Sequence, residues 1–161
     1  MVRKLLSKFL ETLTAILIIG CVIGCIASTP TTESIATATL DACQPSQTQI
    51  SKIGIPEIQG SMSSDGQMWA LLFFDKAHAK EDVKIVWKIT GTGKEFVVQA
   101  RHEDGTVVAP IWGPDDHSDS NWDHPGYEWG TGFNFPTPGC WTLTATRGTT
   151  NGEIRLDILP P

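Results

Sequence analysis

The sequence has few basic residues and no long apolar run, and both shortages narrow the functions it can serve. It contains 12 lysines and arginines against 18 aspartates and glutamates, for a net charge of −6. Because binding to duplex nucleic acid needs clustered cations that displace counterions, we expect no nucleic-acid partner. The most apolar stretch, residues 15–27, is shorter than the roughly 20 residues that a membrane-spanning helix needs.

The sequence also lacks the local motifs of common catalytic and calcium sites. There is no G-x-S-x-G elbow, and Ser118 and Ser120 are too close in sequence to His117 and His124 to form a triad with them. The nearby acidic residues lack the glycine and the final glutamate of an EF-hand loop. We therefore predict that the protein is not an enzyme and uses no cofactor.

The opening segment, MVRKLLSKFLETLTAILIIGCVIGCIAST, has the arrangement of an export signal. Arg3, Lys4 and Lys8 precede the apolar residues, and small residues follow them. Two Gly-Cys pairs close the apolar part, in IIGC (18–21) and VIGC (22–25). Each pair follows two aliphatic residues.

These two segments resemble the lipobox of bacterial lipoproteins, in which the cysteine thiol receives a diacylglyceryl group and the chain is cut just before it. Cleavage before Cys25 exposes a polar sequence, whereas cleavage before Cys21 leaves apolar residues in the interface. We predict lipidation at Cys25, with Cys21 as the alternative, and a signal peptide over 1–24. The resemblance implies a lipid anchor at the extracytoplasmic face of the cell membrane. An uncleaved anchor helix and an ordinary signal peptide are the competing hypotheses.

Residues 25–49 are rich in Thr, Ser, Ala and Pro and show no sustained period, which predicts a tether. The leader carries three cations and one carboxylate, so its removal changes the net charge from −6 to −8. An acidic exported domain is repelled by anionic lipid and stands off the membrane surface.

From about residue 50 the sequence alternates apolar and polar residues, as half-buried strands do. The alternation is clearest in VKIVWKIT (83–90), EFVVQAR (95–101), WTLTATR (141–147) and EIRLDIL (153–159). MWALLFF (68–74) is apolar throughout, which is typical of a central strand covered on both faces.

Turn-forming residues separate these segments, in TGTGK (90–94), EDG (103–105) and TTNG (149–152). In the last of these, Asn151 and Gly152 are expected to adopt positive φ. The spacing predicts an all-β domain over 50–161, an immunoglobulin-like or fibronectin-like sandwich of about seven antiparallel strands after the N-terminal signal helix. A small barrel is the alternative.

Cys43 and Cys140 remain as a pair once a leader cysteine is lipidated. In an exported protein such a pair predicts a disulfide, and two free thiols are the alternative. His78 and His102 lie beside charged residues in the sequence, so we expect both on solvent-exposed faces.

The segment 111–132, IWGPDDHSDSNWDHPGYEWGTG, is the longest stretch without a strand pattern, and loops of this length are usually functional or disordered. Three hypotheses compete: local turns capped by tryptophans, a zinc or copper site at residues 115–128 using His117 and His124, and a ligand surface where aromatic rings stack on sugars. The candidate binding residues are Trp112, Asp115, Asp116, His117, Asp119, Asn121, Trp122, Asp123, His124, Tyr127, Glu128 and Trp129.

The run NWDHPGYEWGTGFNFPTPGCWTLTATRG (121–148) resembles a group of uncharacterised bacterial lipoproteins with an Ig-like β domain and a C-terminal F-P-x-P-G-C-W segment. The likeness lies in EWGTGF, FPTPGCW and the earlier WALLFF…KIVWKITG run. It implies the fold and the location at the membrane, but it identifies no catalytic residue. It also implies that Trp141 lies in the core beside the disulfide. The residues that it implies act together are Trp129, Pro138, Gly139, Cys140 and Trp141.

The sequence therefore predicts a membrane-anchored extracytoplasmic lipoprotein whose β domain is a non-catalytic binding module. A saccharide, an envelope protein or a peptide are the candidate partners, beside the membrane held through the N-terminal lipid. A structural spacer and an envelope metal-binding module are the alternatives. The sequence gives no oligomeric state.

Overall fold

A computed structural model describes residues 43–117 and 120–161, and this part of the chain contains eleven strands and no helix. None of it forms a helix that is long and apolar enough to cross a membrane. The predicted signal peptide, Cys21 and Cys25 lie outside the described residues. The strands are β1 (Thr48–Ile50), β2 (Pro56–Gln59), β3 (Ser61–Met62), β4 (Met68–Leu72), β5 (Asp82–Ile89), β6 (Phe96–His102), β7 (Val107–Val108), β8 (Trp112–Asp116), β9 (Tyr127–Asn134), β10 (Gly139–Arg147) and β11 (Thr150–Ile158).

The strands form two antiparallel sheets. Sheet A has the order β1-β2-β4-β5-β9-β8, and sheet B has the order β3-β11-β10-β6-β7. The predicted all-β sandwich is confirmed, while its assignment as immunoglobulin-like stays a prediction. The predicted number of about seven strands is too low. Six of the eleven strands have only two to five residues, which is too short for an alternation to be visible in the sequence.

The core lies between the sheets and contains the apolar faces that alternation predicted. On β5, Val83, Ile85, Trp87 and Ile89 are all buried. The Trp87 indole donates to the hydroxyl of Thr131 on β9 at 2.8 Å, so the buried N–H has a partner inside the core. Such pairing avoids the cost of an unsatisfied buried donor.

The β10–β11 connection differs from the prediction. Arg147 pairs with Thr150, so the tight turn consists of Gly148 and Thr149, and Gly148 adopts a φ of 58°. Asn151 and Gly152 lie inside β11, and the expectation of positive φ there is wrong. A Cβ at Gly152 would lie 2.8 Å from the Met62 sulfur, so this glycine permits close packing and makes no turn.

The predicted disulfide is confirmed: Cys43 and Cys140 are bonded, with their Cα atoms 5.2 Å apart. The chain just after Cys43 already contacts sheet B, because the Ser46 amide donates to the Arg155 carbonyl at 2.9 Å. Strand β1 begins at Thr48. The sandwich therefore includes residues upstream of the boundary predicted at residue 50.

Candidate functional site

The outer face of sheet A, which points away from sheet B, is partly covered by the connection between β8 and β9. We call residues 117–126 the covering loop; residues 118 and 119 within it, and with them the predicted Asp119, lie outside the described part. Trp122 of this loop is 2 % exposed and packs on Leu71 of β4 and Val86 of β5. A second, smaller hydrophobic cluster thus forms outside the main core.

Glu57 of β2 holds one end of the covering loop. Its carboxylate is buried and accepts a hydrogen bond from the Trp122 indole at 2.6 Å. The His124 Nε2 lies 3.0 Å from the same oxygen, and the Gln49 amide donates to the other oxygen at 3.0 Å. A buried carboxylate with three polar partners is satisfied and has a fixed position.

Glu128, the second buried carboxylate, lies on β9 and holds the other end of the loop. It accepts the Ser120 hydroxyl at 2.5 Å, and the His117 Nδ1 lies 3.3 Å from its other oxygen. The Lys88 ammonium of β5 is 3.5 Å away and also donates to the Trp122 carbonyl. Lys88 therefore joins the strand, the carboxylate and the loop.

His124 is also held by stacking. Its ring is parallel to the Trp69 indole, with centroids 3.8 Å apart, and meets the Trp122 ring edge-on. The Trp69 Nε1 is buried and is the single buried side-chain polar atom without a hydrogen-bond partner in the described part.

The residues predicted to bind a ligand separate into two groups. Trp122, Glu128 and Trp129 are buried, and His124 is partly buried; these four serve the fold. The rest of the described set is exposed: Trp112, Asp115, Asp116, His117, Asn121, Asp123 and Tyr127. The segment 111–132 is also not free of strands, since it contains β8 and the first part of β9.

The geometry around Ser120 differs from that of a serine hydrolase. In a catalytic triad the histidine lies between the serine and the carboxylate and takes the serine proton. Here the Glu128 carboxylate lies between Ser120 and His117 and contacts both. The hydroxyl donates directly to a buried carboxylate that positions the loop.

The two loop histidines do not share a site. His117 faces Glu128, whereas His124 faces Glu57, and these glutamates lie on different strands, with β4 and β5 between them. Among the residues that the structure describes, no group of three or more His, Cys, Asp or Glu side chains could hold a metal ion.

Trp112 lies on the uncovered part of the same face. A Cβ placed on Gly132 of β9 would be 1.9 Å from the indole Nε1, and one on Gly130 would be 3.4 Å from the indole Cζ3. Both rings of the indole therefore rest on β9 where it has no side chains. A bulge in β8 pairs Trp112 with Gly132 and Asp115 with Gly130, so both point to this face. Trp112 is 40 % exposed.

His102 is placed differently from its prediction. It is buried at the end of β6 and stacks at an angle against Trp141, rather than lying on a solvent face. Its Nδ1 is 2.9 Å from Asp104. The hydrogen bond from the Thr106 amide, together with the His102 contact, lowers the pKa of Asp104 to about 2.

Arg147 is a feature that sequence reasoning missed. It is 4 % exposed, and its guanidinium donates to the carbonyls of Gly93 and Ile89 at 3.1 and 3.3 Å. The guanidinium carbon lies 4.0 Å from the ring centroid of Tyr127, which is itself exposed. In the sequence, Arg147 follows Ala145 by two residues and so falls on the core face of β10, where its charge is satisfied by these backbone carbonyls.

No protein-family model matches the chain, and no curated protein or solved structure matches it either. The resemblance to bacterial lipoproteins stays a prediction.

Proposed function

We propose that this protein is an exported, lipid-anchored binding module without catalytic activity. The observation that carries the proposal is the Cys43–Cys140 disulfide. Disulfides persist in oxidising compartments and are rare where cellular thiols are kept reduced. The lipobox-like segments at residues 18–25 add the membrane anchor, with Cys25 as the acylated residue.

The hydrogen bonds made by the two buried glutamates support a non-catalytic role. Acid–base catalysis requires a carboxylate or histidine that can reach a substrate. Glu57 and Glu128 are each buried under the covering loop and occupied by groups of that loop. Both carboxylates therefore act in positioning the loop.

The exposed aromatic residues support a binding role. Trp112 and Phe73 are 40 % and 45 % exposed, and both lie on the outer face of sheet A. Tyr127, at 62 %, is the first residue of β9. Large exposed aromatic side chains held by a rigid sheet are typical of interaction sites.

Metabolic labelling with a palmitate analogue tests the anchor. We expect label on the wild-type chain in the membrane fraction, loss of label in Cys25→Ser, and retention in Cys21→Ser. Labelling lost only in Cys21→Ser moves the anchor to that residue. An unlabelled wild-type chain in the soluble cell interior, with both later cysteines alkylated without reductant, would refute the proposal.

A further inference from the structure

On the uncovered half of the outer face of sheet A, three side chains lie in a row that runs across the strands. Trp112 on β8 pairs with Gly132 on β9, and Gly132 pairs with Lys84 on β5. The amide of Phe73, the residue after β4, donates to the Lys84 carbonyl at 3.1 Å, so Phe73 continues the row. Directly paired residues point to the same face of a sheet.

The row presents two aromatic rings, and the Lys84 side chain extends over one of them. The Lys84 ammonium lies 4.5 Å from the centroid of the Phe73 ring. The Trp112 indole lies over β9, and Phe73 continues β4, with β5 between them. At about 4.8 Å per strand, the two rings are roughly 10 Å apart.

We propose that Trp112, Lys84 and Phe73 form a saccharide-binding platform, an inference that rests on the proposed binding function and names its ligand class. A pyranose ring has an apolar C–H face that stacks on an aromatic ring and a rim of hydroxyls that need hydrogen-bond partners. Two rings separated by two strand spacings, roughly 10 Å, match a sugar and its second neighbour along an extended chain, since one pyranose unit spans about half that distance. One face of the Trp112 indole is already packed on the glycines, so the other is available.

The surroundings of the platform supply hydrogen-bonding groups for hydroxyls. Asp115, paired with Gly130 beside the indole, is exposed and accepts from hydroxyls. Lys84 donates from its position over the Phe73 ring. Asn134 and Asp82, which bond to one another at 2.7 Å, lie two residues beyond Gly132 and Lys84 on the same face.

A protein partner fits this surface less well. A stable protein interface buries about 800 Å² on each side around a contiguous apolar centre. Here the two exposed rings are separated by a charged side chain, and the adjoining part of the face is covered by the loop. A short row of this kind suits a narrow, polar chain.

The platform is tested with three linear oligosaccharides, cellohexaose, chitohexaose and mannohexaose, titrated by calorimetry into the full-length protein purified in detergent. We expect binding of at least one of them, weakened about tenfold or more in Trp112→Ala and in Phe73→Ala, because each removes a stacking surface. Val97→Ala is the matched control, since Val97 is 60 % exposed but lies on sheet B. It should bind as the wild type does.

Two outcomes would overturn the platform: no heat of binding from any of the three sugars, or equal weakening in all three variants. Near-UV circular dichroism establishes that each variant is folded. These results are independent of acylation. If the chain is acylated but binds none of the sugars, the proposed function stands and the platform is refuted. If the chain binds a sugar but is not acylated, the platform stands and the lipid anchor is refuted.

Discussion

Trp122 allows the contribution of the covering loop to be separated into a hydrogen bond and a packed ring. In Trp122→Phe the aromatic contact with Leu71 and Val86 is largely kept, but the 2.6 Å hydrogen bond to Glu57 is lost. A hydrogen bond to a charged group contributes about 1.5–3 kcal/mol. Glu57 keeps two other partners, so we expect a loss near the lower limit, about 1.5–2 kcal/mol.

Trp122→Ala removes the ring as well, and truncating a buried aromatic side chain costs about 3–5 kcal/mol. The alanine variant should therefore be less stable than the phenylalanine variant by about 1–3.5 kcal/mol. Urea unfolding followed by far-UV circular dichroism measures both differences. Trp112→Phe is the control and should change stability less than Trp122→Phe does, because the Trp112 side chain is 40 % exposed. Equal stabilities of Trp122→Phe and wild type would refute the role of the Glu57 bond.

Three further predictions concern other parts of the sandwich. Replacing Cys43 and Cys140 by serine should destabilise the protein by up to about 4–5 kcal/mol, since the bond closes a 97-residue separation; a loss below about 1 kcal/mol in urea unfolding would contradict this. Asp104 has its pKa lowered from 3.8 to about 2 in the folded state, so its stabilising effect is complete above the unfolded value and is lost as the pH falls through about 2. As the pH is lowered through this range, the urea midpoint should fall less in Asp104→Asn than in the wild type. The same dependence of the midpoint on pH in both proteins would contradict the assignment. Arg147→Lys should destabilise by about 1–3 kcal/mol because an ammonium cannot bond both carbonyls and stack on Tyr127; a thermal melt unchanged from the wild type would contradict it.

The long strands could be predicted because their environment follows a simple rule. Each of β5, β6, β10 and β11 has one face in the core, so every second residue is apolar. The central position of β4 was also predicted, since Leu71 is buried under the covering loop while Ala70 lies in the core. An apolar run without alternation is the sequence pattern of a strand covered on both faces.

Strand β9 could not be predicted, because its glycines contradict strand propensity. Gly130 and Gly132 weaken an isolated strand. A side chain on either glycine would meet the Trp112 indole, which lies over β9 because β8 pairs with that strand. A contact between residues about 20 positions apart leaves no local pattern, so the segment had the composition of a loop.

The binding residues were predicted only in part for a related reason. Composition identified an aromatic and acidic segment, but the burial of its members depends on Glu57, far away in the sequence. Phe73 and Lys84 were assigned to strands without a role, because the row they form with Trp112 exists only once β4, β5, β9 and β8 lie side by side.

The covering loop explains why the exposed aromatic rings deserve a functional interpretation. Burying two glutamates is costly unless each is fully paired, and here each is paired to residues of the loop, so the position of the loop on the sheet is specific. That position buries Trp122, Leu71 and Val86 and leaves Trp112 and Phe73 exposed. The chain therefore covers the apolar residues at one end of this face and leaves two rings at the other end exposed on a rigid sheet. Exposure of that kind favours a partner that contacts the rings.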